Sequence, residues 1–87
     1  MSYQVRIAGP AQRYLARLPR QAQDRILARI DQIAGDPYGP YTKPLRGVGG
    51  LRAARVGGWR IVFDVVQAAR QVDIADIGPR GQVYRRL

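Results

Sequence analysis

The chain has 87 residues, enough for a single domain over 1–87 with a thin core and no room for a separate cofactor domain. It carries 15 Lys and Arg against 6 acids, a net charge of +9, and no histidine or cysteine. This excludes disulfides, thiol chemistry and the usual His/Cys zinc sites. The acids are thinly scattered between Asp24 and Asp76, which argues against a multi-carboxylate magnesium site, so neither metal nor cofactor is expected. Every acid is Asp and every base except Lys43 is Arg. A domain this positive repels itself and favours polyanionic partners, nucleic acid first and an acidic protein second. Arginine's planar fork fits phosphate and stacks on bases. The opening Met1 to Arg6 lacks the apolar run of a signal peptide, and no stretch approaches a membrane span. The expectation is a cytoplasmic protein with no membrane partner.

In chain order, Tyr3 to Ala8 alternates Tyr3, Val5 and Ile7 with Gln4 and Arg6, the pattern of a half-buried strand. Gly9-Pro10 opens a helix carrying Ala11, Tyr14, Leu15 and Leu18, with Arg13 and Arg17 on its other face. Pro19 separates it from a second helix over Arg20 to Ala34. That helix has an apolar stripe of Ala22, Ile26, Leu27, Ile30, Ile33 and Ala34, and Arg25 and Arg29 face away from its centre. Gly35-Asp36-Pro37 ends it. Asp36 to Gly50, dense in Gly and Pro, reads as a loop ordered only if Tyr38, Tyr41 and Leu45 find contacts. Leu51 to Val56 and Trp59 to Val66 read as strands joined by Gly57-Gly58, and Gln71 to Ile77 as a fourth strand. The tail from Gly78 leaves the sheet. The expected fold is α+β: an N-terminal strand, a two-helix hairpin, then a three-stranded antiparallel meander, with the helices on one face of the sheet.

The two-residue turn fixes a register. Val56 lies opposite Trp59, Arg55 opposite Arg60, Ala54 opposite Ile61 and Ala53 opposite Val62. Val56, Ala54, Trp59, Ile61, Phe63 and Val65 then share the core face, and Leu51, Ala53, Arg55, Arg60, Val62 and Asp64 the other. Two arginines side by side are unfavourable unless an anion lies near them. One reading relieves them through Asp64 or through solvent. The other makes them a phosphate-binding floor that Arg80 and Tyr84 join from beyond the fourth strand. Arginine binds and stabilises charge but does not readily move protons. Such a site suits RNA, whose 2′-hydroxyl is an internal nucleophile that needs alignment and charge stabilisation. Tyr84 is placed to act as acid or base, to stack on a base, or to anchor the tail. The helical Arg13 to Arg29 series reads as a solvated face.

Pro44-Leu45-Arg46-Gly47, then Ala54-Arg55-Val56-Gly57-Gly58-Trp59-Arg60-Ile61-Val62-Phe63, then Ile77-Gly78-Pro79-Arg80-Gly81-Gln82-Val83-Tyr84-Arg85, form a set that resembles the RelE/ParE toxins. Tyr3 to Ile7 and the helix hairpin around Leu15, Leu18 and Pro19 are also similar, so the resemblance covers nearly the whole chain. It implies a toxin of a type II toxin–antitoxin system: a ribosome-dependent mRNA endonuclease that cuts without metal by 2′-hydroxyl attack. It implies Arg55, Arg60, Arg80 and Tyr84 as catalytic residues, with Arg46, Arg52, Arg85 and Arg86 as RNA-binding ones. The implied partners are a cognate antitoxin, the ribosome and mRNA, and operator DNA through the antitoxin. Two positions depart from the pattern. Ala53 stands where relatives often carry a basic residue, and Pro79 where His or Lys often precedes the arginine. The competing readings are a ParE-like inhibitor of DNA gyrase without nuclease activity and a non-catalytic nucleic-acid-binding module.

Overall fold

The computed structural model describes residues 2–45, 47 and 49–80. The elements are β1 (Gln4–Ile7), α1 (Gly9–Ala16), α2 (Arg20–Gly35), β2 (Thr42–Pro44), β3 (Leu51–Val56), β4 (Trp59–Val66) and β5 (Gln71–Pro79). One sheet runs in the order β1-β5-β4-β3-β2, with β1 parallel to β5 and the other pairs antiparallel. The expected α+β architecture is present: β3, β4 and β5 form the meander and both helices pack on one face, α1 over β5 and α2 over β3 and β5.

The boundaries follow local chemistry. Pro10 sits in the first turn of α1, where its missing N–H costs nothing. Pro19 is the N-cap of α2. The far end of α2 is tied to the sheet by the Tyr3 N–H, which donates to the Ala34 carbonyl at 2.7 Å. From the stripe of α2, Ala22, Ile26, Ile30, Ile33 and Ala34 are buried, but Leu27 is 43% exposed and lies off the contact. The helix rests on a flat sheet, so a narrower stripe than the sequence suggested does the packing.

Beneath the helices, Ala54, Val56, Ile61, Phe63, Val72, Ile74 and Ile77 complete the core, with Trp59 and Val65 packed at its margin. Phe63, Ile26, Ile33, Ile61, Ile74 and Ile77 are all fully buried. Burial of a side chain of this size stabilises by about 1.5–3 kcal/mol. In so small a domain a handful of such residues carries much of the fold.

Two expectations are corrected. The region read as a loop contains β2, an edge strand pairing Thr42 with Ala54, Lys43 with Ala53 and Pro44 with Arg52. Three residues ending in Pro are too short for a periodic signal, and Pro is tolerated at an edge. The last strand also continues to Pro79, past Ile77, because Pro79 pairs with Trp59 and Gly78 with Arg60.

The β3–β4 register is the one the Gly57-Gly58 turn dictates: Val56–Trp59, Arg55–Arg60, Ala54–Ile61 and Ala53–Val62. Gly57 takes φ 56°, in the left-handed region that favours glycine. A Cβ there would also meet Arg25 Nη2 at 2.9 Å, although that guanidinium is free to swing aside. Gly57→Ala is therefore expected to destabilise the fold by about 1–2 kcal/mol, the cost of forcing an L side chain into this conformation. Urea denaturation checks this; an unchanged midpoint would contradict the turn assignment.

Candidate functional site: a basic cleft at the hairpin end of the sheet

The second face of the sheet is polarised. Arg55 and Arg60 lie directly opposite each other near the turn. Arg55 is exposed and makes no hydrogen bond or ion pair with any described residue, whereas Arg60 is only 9% exposed. Asp76, equally buried, pairs with Val62 and so lies diagonal to Arg60 on the same face. At the far end Asp64 faces Asp73 across β4 and β5. Arg6, opposite Asp73 on β1, and Gln71, whose Nε2 donates to Asp73 Oδ1 at 2.7 Å, offset that like-charge pair.

This face depends on a break in register. Val62 pairs with Asp76 and Phe63 with Ile74, so Ala75 has no partner and forms a bulge. Up to Ile74 the even-numbered residues of β5 point to the core. After the bulge Ile77 does, and Asp76 and Gly78 turn to the Arg face. Arg80 follows in the turn after β5. Its backbone N–H donates to the Gly58 carbonyl at 2.8 Å, which fastens the end of β5 to the β3–β4 turn. The structure thus brings Arg55 and Arg60 to one end of one face and fastens the Arg80 backbone to the turn beside them. Tyr84, Arg46, Arg85 and Arg86 lie outside the described residues.

Arg52 sits elsewhere. It pairs with Phe63 and therefore belongs to the helix-covered face. Its Nε donates to the Pro37 carbonyl at 3.1 Å, its Nη2 to Thr42 Oγ1 at 2.9 Å, and its guanidinium lies 5.2 Å from the Tyr38 ring centroid. The Thr42 hydroxyl in turn donates to the Pro37 carbonyl at 2.9 Å. Arg52 is a staple that binds the loop after α2 to the sheet edge, and it lies on the face away from Arg55 and Arg60.

Two basic residues not singled out from the sequence enter the site. Lys43 pairs with Ala53, which places it on the face of Arg55 and Arg60. Arg29 does not point into solvent: its guanidinium lies 4.7 Å from the Tyr41 ring centroid and its Nη1 donates to Gln32 Oε1 at 2.9 Å. A cavity of about 280 Å³ opens at this edge, lined by Arg29, Pro40, Tyr41, Thr42, Lys43, Ala53, Ala54, Arg55 and Arg60, with no carboxylate among these residues. Recognising Lys43 required knowing that β2 exists. The only sequence signal for Arg29 was a basic residue near the end of a helix that precedes an aromatic loop. No group of three or more His, Cys, Asp or Glu side chains that could hold a metal occurs among the described residues. No described helix is long and apolar enough to cross a membrane.

The strand order, the helical hairpin on one face and the basic cleft on the other define a toxin of the RelE/ParE class. The sequence profile of the ParE toxin of type II toxin–antitoxin systems matches residues 5–84, and the chain belongs to that family. Among solved structures, the RelBE2 toxin–antitoxin complex from Mycobacterium tuberculosis is similar with a TM-score of 0.81 and 26% identity, covering 92% of this chain and 100% of that one. The RelE–RelB complex from Pyrococcus horikoshii gives 0.80 and 28%, covering 94% and 99%. The isolated E. coli RelE toxin gives 0.80 at 19% identity, covering 98% and 94%, a likeness of fold. No curated protein sequence matches the chain significantly.

The different settings of Arg52 and Arg55 predict opposite effects on stability. Arg52→Ala removes charged hydrogen bonds to a carbonyl and a hydroxyl and is expected to cost about 1–3 kcal/mol. Arg55→Ala removes one member of a like-charge pair and is expected to leave stability unchanged or raise it by up to about 1 kcal/mol. Thermal melts of the two variants side by side check this; equal losses would contradict the division of roles.

Proposed function

We propose that this toxin is a ribosome-dependent mRNA endonuclease that cuts by 2′-hydroxyl attack and is held inactive by a cognate antitoxin. The observation that carries the reading is the Arg55–Arg60 pair on a carboxylate-free basic cleft, with Arg80 fastened to the same turn. Arg60 is buried with Asp76 diagonal to it, while Arg55, exposed across from it, offers its guanidinium to an anion. In the reaction the 2′-oxygen loses its proton and bonds to the adjacent phosphorus. The bond from phosphorus to the 5′-oxygen breaks, and that oxygen takes up a proton, leaving a 2′,3′-cyclic phosphate and a 5′-hydroxyl. Arg55 and Arg80 neutralise the charge that builds on the non-bridging oxygens. Arg60 adds its charge from beneath. Tyr84 serves as the proton-transfer or base-stacking group, and Arg46, Arg85 and Arg86 hold the RNA backbone. The ribosome supplies the alignment of nucleophile and phosphate that so small a site does not provide.

The antitoxin reading is supported by the similar M. tuberculosis and P. horikoshii toxins, both solved as antitoxin complexes. Acidic side chains over the Arg face would suit the net charge of +9. Operator DNA is reached through that complex. The second reading, a gyrase inhibitor without nuclease activity, is favoured by the family profile, which is that of ParE.

Induction of the chain in a bacterial host, with primer-extension mapping of an abundant mRNA, separates the two. Cuts within translated codons are expected, weakened about 10²–10³-fold by Arg55→Ala or Arg80→Ala, the range for loss of one charge-stabilising donor. Tyr84→Phe is expected to weaken them as well. Growth arrest with intact mRNA and accumulating gyrase–DNA breaks would overturn the nuclease reading.

A further inference from the structure

We propose that Arg29, Tyr41 and Lys43 form a second phosphate subsite, which grips the RNA backbone beside the Arg55–Arg60 floor. The subsite rests on the nuclease reading for the identity of its polyanion, and on the geometry for everything else.

The cleft exists because β2 stops short. Its last pairing is Thr42 with Ala54, so β3 continues through Arg55 and Val56 without a β2 partner. The preceding Pro40 and Tyr41 turn away and leave the cavity open at the sheet edge. Its floor at Ala53 and Ala54 is small and apolar, and its walls are cationic. Lys43, directly across from Ala53, is exposed and has no described partner. The small Ala53 side chain leaves space for its ammonium to lean towards Arg55.

Arg29 supplies the independent observation. Its Nε is buried and has no hydrogen-bond partner among the described residues, while stacking on Tyr41 and the bond to Gln32 fix the plane of the guanidinium. Arg29 lines the cleft with its plane fixed, so its charge is held where an anionic oxygen enters. The wall is preorganised. Tyr41 sits between Pro40 and Thr42 in a segment pinned by the Thr42 hydroxyl on the Pro37 and Gly39 carbonyls and by Arg52 on Thr42. A planar, stacked guanidinium beside a mobile ammonium matches the oxygens of a phosphodiester. Tyr41, 50% exposed, offers a ring at the same rim on which a base can stack.

The test uses the full chain and a fluorescent single-stranded 2′-O-methyl RNA, which binds but lacks the nucleophile. Anisotropy is read across a salt series. Lys43→Gln and Arg29→Gln are each expected to weaken binding at low salt and to reduce the slope of log K against log salt by about 0.7, the value for one phosphate contact on a single strand. Arg29→Lys, which keeps charge but loses the planar stack, is expected to restore the slope in part. Arg17→Gln, on the exposed face of the first helix, serves as a surface-charge control and is expected to leave the slope unchanged. Thermal melts of each variant separate lost binding from lost folding. Slopes equal to wild type in both Gln variants, or no salt-dependent binding by the wild-type chain, would overturn the subsite. Equal displacement by polyglutamate, sensitive to the same two substitutions, would reassign the cleft to an acidic polypeptide and also overturn it. Cleavage mapped in cells that depends on Arg55 but not on Lys43 or Arg29 would remove the subsite and leave the nuclease reading standing. Slope losses without mRNA cleavage would do the reverse.

Discussion

The Gly57-Gly58 turn is the constraint on which the basic end of the molecule depends. With φ 56° at Gly57 it closes β3 onto β4 in a single register. That register places Val56 and Trp59 over the core and Arg55 against Arg60 on the opposite face. The same turn accepts the Arg80 N–H through the Gly58 carbonyl, so the end of β5 is positioned by it too. Like charges that would otherwise separate are held together by backbone hydrogen bonds and by Ile61, Phe63 and Ile77 on the reverse side. A site built on paired strands keeps its geometry more closely than one carried by a loop.

The bulge at Ala75 is the complementary device. A regular β5 would keep one parity along its length and send Asp76 and Gly78 towards the helices. One unpaired residue reverses that parity and lets Ile77 fill the core in their place. The second face consequently has Asp64 opposite Asp73 at one end and Arg55 opposite Arg60 at the other, with the buried Asp76 diagonal to Arg60. In a chain of net charge +9, this places exposed positive charge at the hairpin end, the arrangement on which the proposed polyanion site rests.

The parts legible from the sequence were those with strong local chemistry. The helices have long periodic stripes bounded by Pro10, Pro19 and Pro37, and β3 and β4 flank a Gly-Gly pair, so their positions and register were readable. β2 was not, because three residues among prolines and glycines carry no period and acquire strand character only by pairing with β3. Missing β2 meant missing Lys43, which brings to the Arg face the charge that Ala53 does not. The contacts of Arg29 and Arg52 were hidden for a related reason. Their positions on a helix and a strand were clear, but their side chains reach Tyr41, Tyr38 and Pro37 in a loop whose path depends on tertiary contacts. The bulge was written in the spacing Val72, Ile74, Ile77, where alternation fails once.

The two arginines of β3 show that residue type alone does not distinguish structure from function in so arginine-rich a chain. Arg52 has its donors occupied by Pro37 and Thr42 and its plane covered by Tyr38, so its removal weakens the fold. Three residues on, Arg55 is exposed, has no hydrogen bond or ion pair among the described residues, and has a second guanidinium across from it. An anion that bound only the folded state at Arg55 would stabilise it in proportion to RT ln(1 + [L]/Kd). The same logic extends to inhibition. An acidic antitoxin segment laid over Arg55 would relieve the same repulsion as an RNA phosphate, so inhibitor and substrate would compete for the stabilisation that the empty cleft lacks.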